Sequence, residues 1–366
     1  MFGKYVRLRA LVRPTAGLGC GAVALAAAAV MAGSHSAAAA VSPHPAARSG
    51  TGVYTRRSVS ESPILGAAVN TTMLRSSDPR YVRTLLRHFQ SVTPEYEMKM
   101  DHLEPARGVF DFTKADEIVA FAHRHGLEIR GHTLVWDEQV PAWVTDGEWT
   151  RAQLRSVLVR YITTVVSHYR GRIGEWDVVN EPLLADGSLR PSIWERVIGP
   201  GYIELALRTA HRADPRAKLF VNEYGAEYPG PKERALHRLV KRLRHEGVPV
   251  DGVGFQAHLS IHWSPTRAQF TGVLHRFAAL GLRVEVTELD VAAAGPAPLR
   301  HRLAEQAAVY RSVAGDCRAV RACSRVTTWG ITDAASWLGA SQRALPFNAD
   351  YRPKPAWSAL RAGLRH

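Results

Sequence analysis

From Ile64 onward the chain alternates short apolar runs with longer amphipathic ones, almost to its end. This rhythm constrains the fold more than any single motif, because strand–helix alternation builds a parallel sheet with helices on its faces. The apolar runs predict strands over 64–69, 91–95, 128–134, 174–180, 218–222, 252–257, 283–288 and 325–330. The segments between them predict helices over 78–89, 112–125, 150–169, 192–213, 231–246, 266–280 and 299–315. The stretch 231–246 carries the period plainly: Leu236, Leu239, Val240 and Leu243 repeat at helical spacing with Lys and Arg between them. Eight such strands fit an α/β fold of the closed (β/α)8 TIM-barrel type better than an open sheet. No Gly-x-Gly-x-x-Gly fingerprint and no phosphate loop marks a nucleotide fold. One domain over 61–366 is expected, with no second unit appended.

The segment before it reads differently. Lys4, Arg7, Arg9 and Arg13 make a basic start, Gly17 to Met31 is a 15-residue run of Ala, Val, Leu and Gly with one Cys, and Ser34 to Ala40 is a small-residue tract. That is the layout of a secretory signal peptide over 1–40, cleaved near Ala38 to Ala40. The apolar run is short for a membrane span, which needs about 20 residues. An exported, extracellular product with no membrane partner is expected. Residues 41–60, rich in Ser, Pro, Ala, Gly and Arg, predict a flexible leader. The formal charge of +14 invites a nucleic-acid partner, but Arg and Lys are scattered and no recognition motif occurs, so none is expected. A basic surface suits an acid-bearing polymer or a negatively charged wall instead. Nothing demands an oligomer, and a monomer is expected. Cys20 would leave with the signal, and Cys317 and Cys323 remain. An even pair in an exported protein reads as a disulfide closing a small loop between a helix end and the next strand. Two buried thiols are the alternative.

A catalytic barrel builds its site at the C-terminal ends of its strands. Glu95, His132, Trp136, Asn180, Glu181, Asn222, Glu223, Gln256, His258, Glu288 and Trp329 crowd those ends here. Two runs stand out, Trp176-Asp-Val-Val-Asn-Glu-Pro182 and Val286-Thr-Glu-Leu-Asp290, each with a glutamate at the end of an apolar stretch. In a closed parallel sheet Glu181 and Glu288 emerge at the same open face. Two carboxylates across a cleft are the minimum equipment for cutting a glycosidic bond. Glu181 is the candidate acid, which must hold its proton until the leaving oxygen takes it, with Trp176 and the turn at Pro182 as apolar surroundings. Glu288 is the candidate nucleophile and must stay ionised. A salt-bridged pair lining the mouth is the bland alternative.

The surrounding residues extend this reading. Asn180 is placed to bond a sugar 2-hydroxyl, a contact that strengthens in the transition state. Gln256 and His258 are two apart and would share one side of an extended run, as would Glu288 and Asp290. An imidazole held by Asp290 would tune Glu288. Trp136, Trp329 and Trp337 are candidate platforms for sugar rings, and Lys99 with Glu95 and His132 would bond sugar hydroxyls. Tyr96 and Tyr224 join them as substrate contacts. His132, His258 and Glu288 admit a metal-ligand reading, but amides and tryptophans suit a sugar better, so neither metal nor other cofactor is expected.

With these residues in hand, the chain resembles the endo-β-1,4-xylanases of glycoside hydrolase family 10 over roughly Ser62 to Arg361. The motifs occur in order: Ser-Val-Thr-Pro-Glu95-Tyr-Glu-Met-Lys99, then Leu-Glu-Pro-Ala-Arg-Gly108, Gly131-His-Thr-Leu-Val-Trp136 and Trp176-Asp-Val-Val-Asn-Glu181. Gly-Phe-Gln256-Ala-His258, Val-Thr-Glu288-Leu-Asp290, Thr328-Trp-Gly-Ile-Thr-Asp333 and Ser336-Trp-Leu338 complete them. The resemblance implies xylan and xylooligosaccharides as partners, net retention, a covalent glycosyl-enzyme at Glu288, and carboxyls about 5–5.5 Å apart. It also implies that Cys317 and Cys323 are joined, as in secreted bacterial members.

The chain departs from the family pattern at Tyr96, where asparagine is usual, and at Met100, where tryptophan is usual. It departs again at Asp137 in place of histidine and at Glu223 in place of aspartate. The catalytic pair and its direct supports are intact. Two other readings stay open: a retaining glycosidase acting on β-glucans or short aryl glycosides, and a polysaccharide-binding barrel without catalysis.

Overall fold

In the computed structural model, which describes residues 63–365, every predicted apolar run contains a strand. The expected signal and leader lie outside the described residues. The strands are β1 (Ile64–Val69), β2 (Ser91–Pro94), β3 (Glu128–Val135), β4 (Glu175–Asn180), β5 (Lys218–Glu223), β6 (Gly252–Phe255), β7 (His258–Ser260), β8 (Arg283–Ala292) and β9 (Cys323–Thr328). They pair in parallel in the order β6-β5-β4-β3-β2-β1-β9-β8, and pairing of β6 with β8 closes the ring. Short β7 lies on the upper part of β8, with His258 opposite Asp290. The result is an eight-stranded (β/α)8 barrel.

The crossover helices start where local chemistry lets them. Asp78 caps the helix Pro79–His88 through the Arg80 N–H, and proline at its first position loses no helical hydrogen bond. Thr150 with Gln153, and Thr266 with Gln269, form capping boxes for Arg151–His168 and Arg267–Ala278. Three expectations need correction. The predicted helix 192–213 is two helices, Ile193–Ile198 and Tyr202–Ala213, because Gly199-Pro200-Gly201 interrupts it. The predicted strand 252–257 stops at Phe255, because Ala257 turns into the left-handed region. The last barrel strand is Cys323–Thr328, so Trp329 follows its end instead of lying within it.

The helix expected over 299–315 runs from Leu299 to Ala319, which puts Cys317 in its last turn. A disulfide joins Cys317 to Cys323, the first residue of β9. It ties helix end to strand start, and a loop this short contributes about 2 kcal/mol in the chain-entropy account.

The lower part of the barrel interior is filled with charge. Arg130 donates to both oxygens of Asp177 at 2.9 and 2.5 Å and to Glu285 at 2.8 Å. Arg325 donates to Glu175 and Glu128, each at 2.9 Å. Arg130, Asp177, Glu175, Glu285 and Arg325 are all buried. Removing one partner would leave an uncompensated buried charge, at a cost of about 3–5 kcal/mol. The arrangement also reaches upward, because Asp177 Oδ2 meets His132 Nδ1 at 3.0 Å. Gly131, between Arg130 and His132, allows close packing behind the sheet: a Cβ there would lie 2.2 Å from the Trp176 ring.

Candidate active site

Glu181 follows the last residue of β4 and takes φ +53. For a residue with a Cβ this region costs about 1–2 kcal/mol, so the surroundings must hold it. They do: its N–H donates to the Asn222 carbonyl at 2.9 Å, and its carbonyl accepts from Arg190 Nε at 2.8 Å. The carboxylate Oε1 accepts from Gln256 Nε2 at 3.0 Å and from Asn180 Nδ2 at 3.3 Å. Arg190 Nη2 stands 3.8 Å from Oε2. Trp176, expected to shield this carboxylate, instead packs on the helix side of the sheet against Tyr169. Its polar neighbours are amides and a guanidinium.

Glu288 lies inside β8 and is almost wholly buried. Oε1 accepts from Asn222 Nδ2 at 2.7 Å, and Oε2 meets His258 Nε2 at 3.2 Å. His258 Nδ1 contacts Asp290 Oδ2 at 3.0 Å, and the same oxygen accepts from Trp337 Nε1 at 2.7 Å. The expected imidazole between Asp290 and Glu288 is therefore in place. Asn222 is itself fixed by Thr287 Oγ1, which donates to its Oδ1 at 2.7 Å. Gly254 makes room for that amide: a Cβ there would lie 2.2 Å from Asn222 Oδ1. Asn222 Nδ2 also donates to Asn180 Oδ1 at 2.9 Å. A continuous path, Glu288–Asn222–Asn180–Glu181, thus links the two carboxylates.

Burial would push Glu288 up, but the neighbouring His132 and the bond from His258 more than offset it, and its carboxyl lies below the usual range. Burial would likewise lower His258, but Asp290 and the bond to Glu288 raise it well above an ordinary imidazole. The two shifts agree: each partner favours the other's charged form. If Glu288 acts ionised, removing His258 removes a lowering influence, so the carboxyl titrates at higher pH. His258→Ala is therefore expected to shift the acid limb of kcat/KM upward in pH and to lower kcat by at least about 10-fold. A pH–rate profile of the folded variant checks this; an unmoved acid limb would refute it.

The remaining predicted contacts line the same face. Burial raises Glu95, while bonds from Tyr96 and Asn70 pull it back; the Asn70 amide reaches Oε2 at 2.8 Å. Lys99 is buried between two rings, its Nζ 5.5 Å from the Tyr96 centroid and 4.7 Å from that of Trp136. Lys99 thus stands over one face of the Trp136 ring. Trp329 is only 6% exposed, with His132 and His258 edge-on to it at 5.2 and 6.3 Å, so it is more wall than open platform. Trp337 is 42% exposed and leaves ring surface open. Tyr224 accepts from Arg190 Nη2 at 3.0 Å, and Lys232 Nζ sits 3.4 Å from its ring centroid. Beneath it, burial pushes Glu223 up to about 7 although Lys232 lies 2.7 Å away. Beside Tyr96 a cavity of about 410 Å³ is lined by Asn70, Thr72, Met73, His102 and Lys114.

Gln256 and His258 do converge on the site, but not as neighbours on one extended run. Ala257 between them has φ +59, and they serve different carboxylates. Asn222, read from the sequence only as a polar strand end, bonds Glu288, and three residues not singled out there also matter: Asp177, Arg190 and Glu227, whose Oε1 accepts the Ala257 N–H at 2.8 Å. Asp177 is three residues from Asn180, and strand alternation would place them on opposite faces; a register shift between Asp177 and Val179 brings both inward. Arg190 and Glu227 come from irregular segments with no periodic signal.

Two carboxylates at the C-terminal mouth of a (β/α)8 barrel, bridged by amides and flanked by aromatic rings, define a barrel glycoside hydrolase. The family model for glycosyl hydrolase family 10 matches residues 56–362. Endo-1,4-beta-xylanase A of Phanerodontia chrysosporium is 40% identical over 280 residues, 75% of this chain and 68% of that protein. Endo-1,4-beta-xylanase B of Thermotoga neapolitana is 40% identical over 286 residues, 77% of this chain and 82% of that one. The crystal structure of xylanase 10B from Thermotoga maritima superposes with a TM-score of 0.81 at 38% identity, covering 83% of this chain and 95% of that one. Xylanase 10B from Thermotoga petrophila RKU-1, in complex with xylobiose, gives 0.80 at 38% identity, covering 83% and 94%. The chain belongs to glycosyl hydrolase family 10.

Proposed function

We propose that this chain is a secreted endo-1,4-β-xylanase that hydrolyses internal xylosidic bonds with net retention. The observation that carries the mechanism is the unequal setting of the two carboxylates. Glu288 is held ionised by His258, His132 and the Asn222 amide, as a nucleophile must be. Glu181 stands at the mouth as the more exposed of the two, within reach of a leaving oxygen and of water, as a group that first gives and then takes a proton must be. In the first step a Glu288 oxygen bonds the anomeric carbon while the glycosidic C–O bond breaks, and the Glu181 proton passes to the departing oxygen. In the second, water attacks that carbon, Glu181 takes its proton, and the bond to Glu288 breaks. Two inversions give retention, a scheme that requires carboxyls about 5–5.5 Å apart. Glu95, Lys99, His132 and the tryptophans would hold the sugars on the non-leaving side, and Tyr224 those on the other.

The substrate reading is supported by the relatives named above: two are called endo-1,4-beta-xylanases, and the xylanase 10B of Thermotoga petrophila was solved with xylobiose. Export is supported by the basic, apolar and small-residue segments of residues 1–40, and by a disulfide, which persists in oxidising compartments. The chain is proposed to work as a monomer.

The test expresses the full chain and assays the culture supernatant on linear β-1,4-xylan, with the product anomer read by proton NMR. A ladder of xylooligosaccharides whose β-anomer forms first, from a protein lacking residues 1–40, is the expected result. Turnover of mixed-linkage β-glucan but not xylan would overturn the substrate and turn attention to Tyr96. Xylan binding without turnover of either would overturn the enzymatic reading.

A further inference from the structure

Among the described residues, five non-glycine positions have left-handed φ, and two of them, Glu181 and Ala257, belong to the site. Ala257 is the less obvious. At β6 the Gln256 N–H still donates to the Glu223 carbonyl at 2.9 Å, so Gln256 ends the ladder with β5. Its carbonyl already accepts from the Glu288 N–H at 3.0 Å, and His258 then opens β7 opposite Asp290. One residue must therefore carry the chain from beside β5 to beside the upper half of β8. This hand-over lets Gln256 and His258 reach different carboxylates, Glu181 at 3.0 Å and Glu288 at 3.2 Å.

The turn leaves the Ala257 N–H outside both ladders, and Ala257 is fully buried. Its acceptor is Glu227 Oε1, at 2.8 Å. Glu227 comes from the irregular segment after β5 and is 1% exposed; its other oxygen, Oε2, is buried without a hydrogen-bond partner among the described residues. A buried carboxyl with one bonded oxygen and one idle one is costly to keep. Besides its own backbone N–H, the group it bonds is the N–H of the residue between the two side chains that contact the catalytic pair.

We infer that Glu227 is a positioning residue: by accepting the Ala257 N–H it sets the turn that aims Gln256 at Glu181 and His258 at Glu288. The inference rests on the proposed chemistry of those two carboxylates. An acceptor oxygen at this place is the requirement. Glutamine supplies one with the same reach, alanine supplies none, and methionine fills the volume without one.

The test compares Glu227→Gln, Glu227→Ala and Glu227→Met in the full chain, measuring kcat and KM on xylan and on an aryl β-xyloside, with thermal unfolding of each. Misaimed partners should cost rate and leave binding largely alone. Glu227→Ala and Glu227→Met are expected to lose kcat by roughly 10- to 100-fold with KM within about 3-fold, while Glu227→Gln keeps most of the wild-type kcat. A wild-type kcat in folded Glu227→Met, or a Glu227→Gln as impaired as Glu227→Met, would overturn the inference. So would global unfolding of both acceptor-free variants beside a folded glutamine variant, which would make the role one of stability. A wild-type chain inactive on both substrates would instead sink the proposed function and take the inference with it.

Discussion

Replacing Glu288 with alanine is expected to lower kcat on xylan by roughly 10⁴- to 10⁶-fold, the range seen when a covalent nucleophile is deleted. The loss should be this large because, among the described residues, neither group bonded to its carboxylate is itself a carboxylate. Its partners are donors or bases already committed elsewhere: Asn222 to Asn180, and His258 to Asp290. The variant also leaves the His258 Nε2 and one Asn222 bond facing a space the size of a carboxyl group. A small anion such as azide or formate fits that space by charge and size. Supplied at high concentration, it should attack the anomeric carbon once and give a product of inverted configuration. Turnover of an activated aryl xyloside with and without azide, with the anomer read by NMR, checks both statements. Residual activity within about 10-fold of wild type would remove Glu288 from the role of nucleophile.

Much of this arrangement is legible in the sequence because it follows from regular periods. Strand count, parallel direction and the common face of Glu181 and Glu288 all derive from alternation. The capped helix starts derive from Asp78, Thr150 and Thr266. What escapes such reading is where the period breaks. Asp177 and Asn180 face inward together only because of the register shift in β4, and Glu288 lies within an irregular stretch of β8 between Val286 and Leu289. The left-handed turns at Glu181 and Ala257 occur at residues that do not advertise them, unlike Gly199 before Pro200. The interior charges mislead for a different reason. Arg130 and Glu285 look like surface residues in a linear chain, yet they pair 155 positions apart in the barrel interior. Long-range closure decides their burial. Tyr96 shows another limit: its place beside Lys99 and the cavity becomes visible only with neighbouring strand ends assembled.

Replacing Glu181 with alanine is expected to give a loss that depends on the leaving group, which distinguishes it from Glu288. Departure of a sugar hydroxyl needs a proton in the first step, and general acid help of this kind is worth roughly 10²- to 10⁴-fold. On xylan the variant should lose about that much. On an aryl xyloside with an acidic phenol the first step needs no proton, so the glycosyl-enzyme should form at near wild-type speed. The second step still lacks its base, so intermediate should accumulate, visible as a burst of phenol followed by slow turnover. Azide, which needs no deprotonation, should restore turnover and yield an azide of retained configuration, because it attacks the intermediate on the face that water would use. The same anion therefore gives opposite anomers in the two variants. That contrast follows from the double displacement and not from electrostatics shared by both carboxylates. A Glu181→Ala enzyme slowed equally on xylan and on the phenolic substrate, with no burst, would mean that Glu181 positions substrate and that the proton comes from elsewhere. Arg190, 3.8 Å from the carboxylate, and Gln256, at 3.0 Å, carry no proton to give at neutral pH without becoming a strong base, so neither can take over the role.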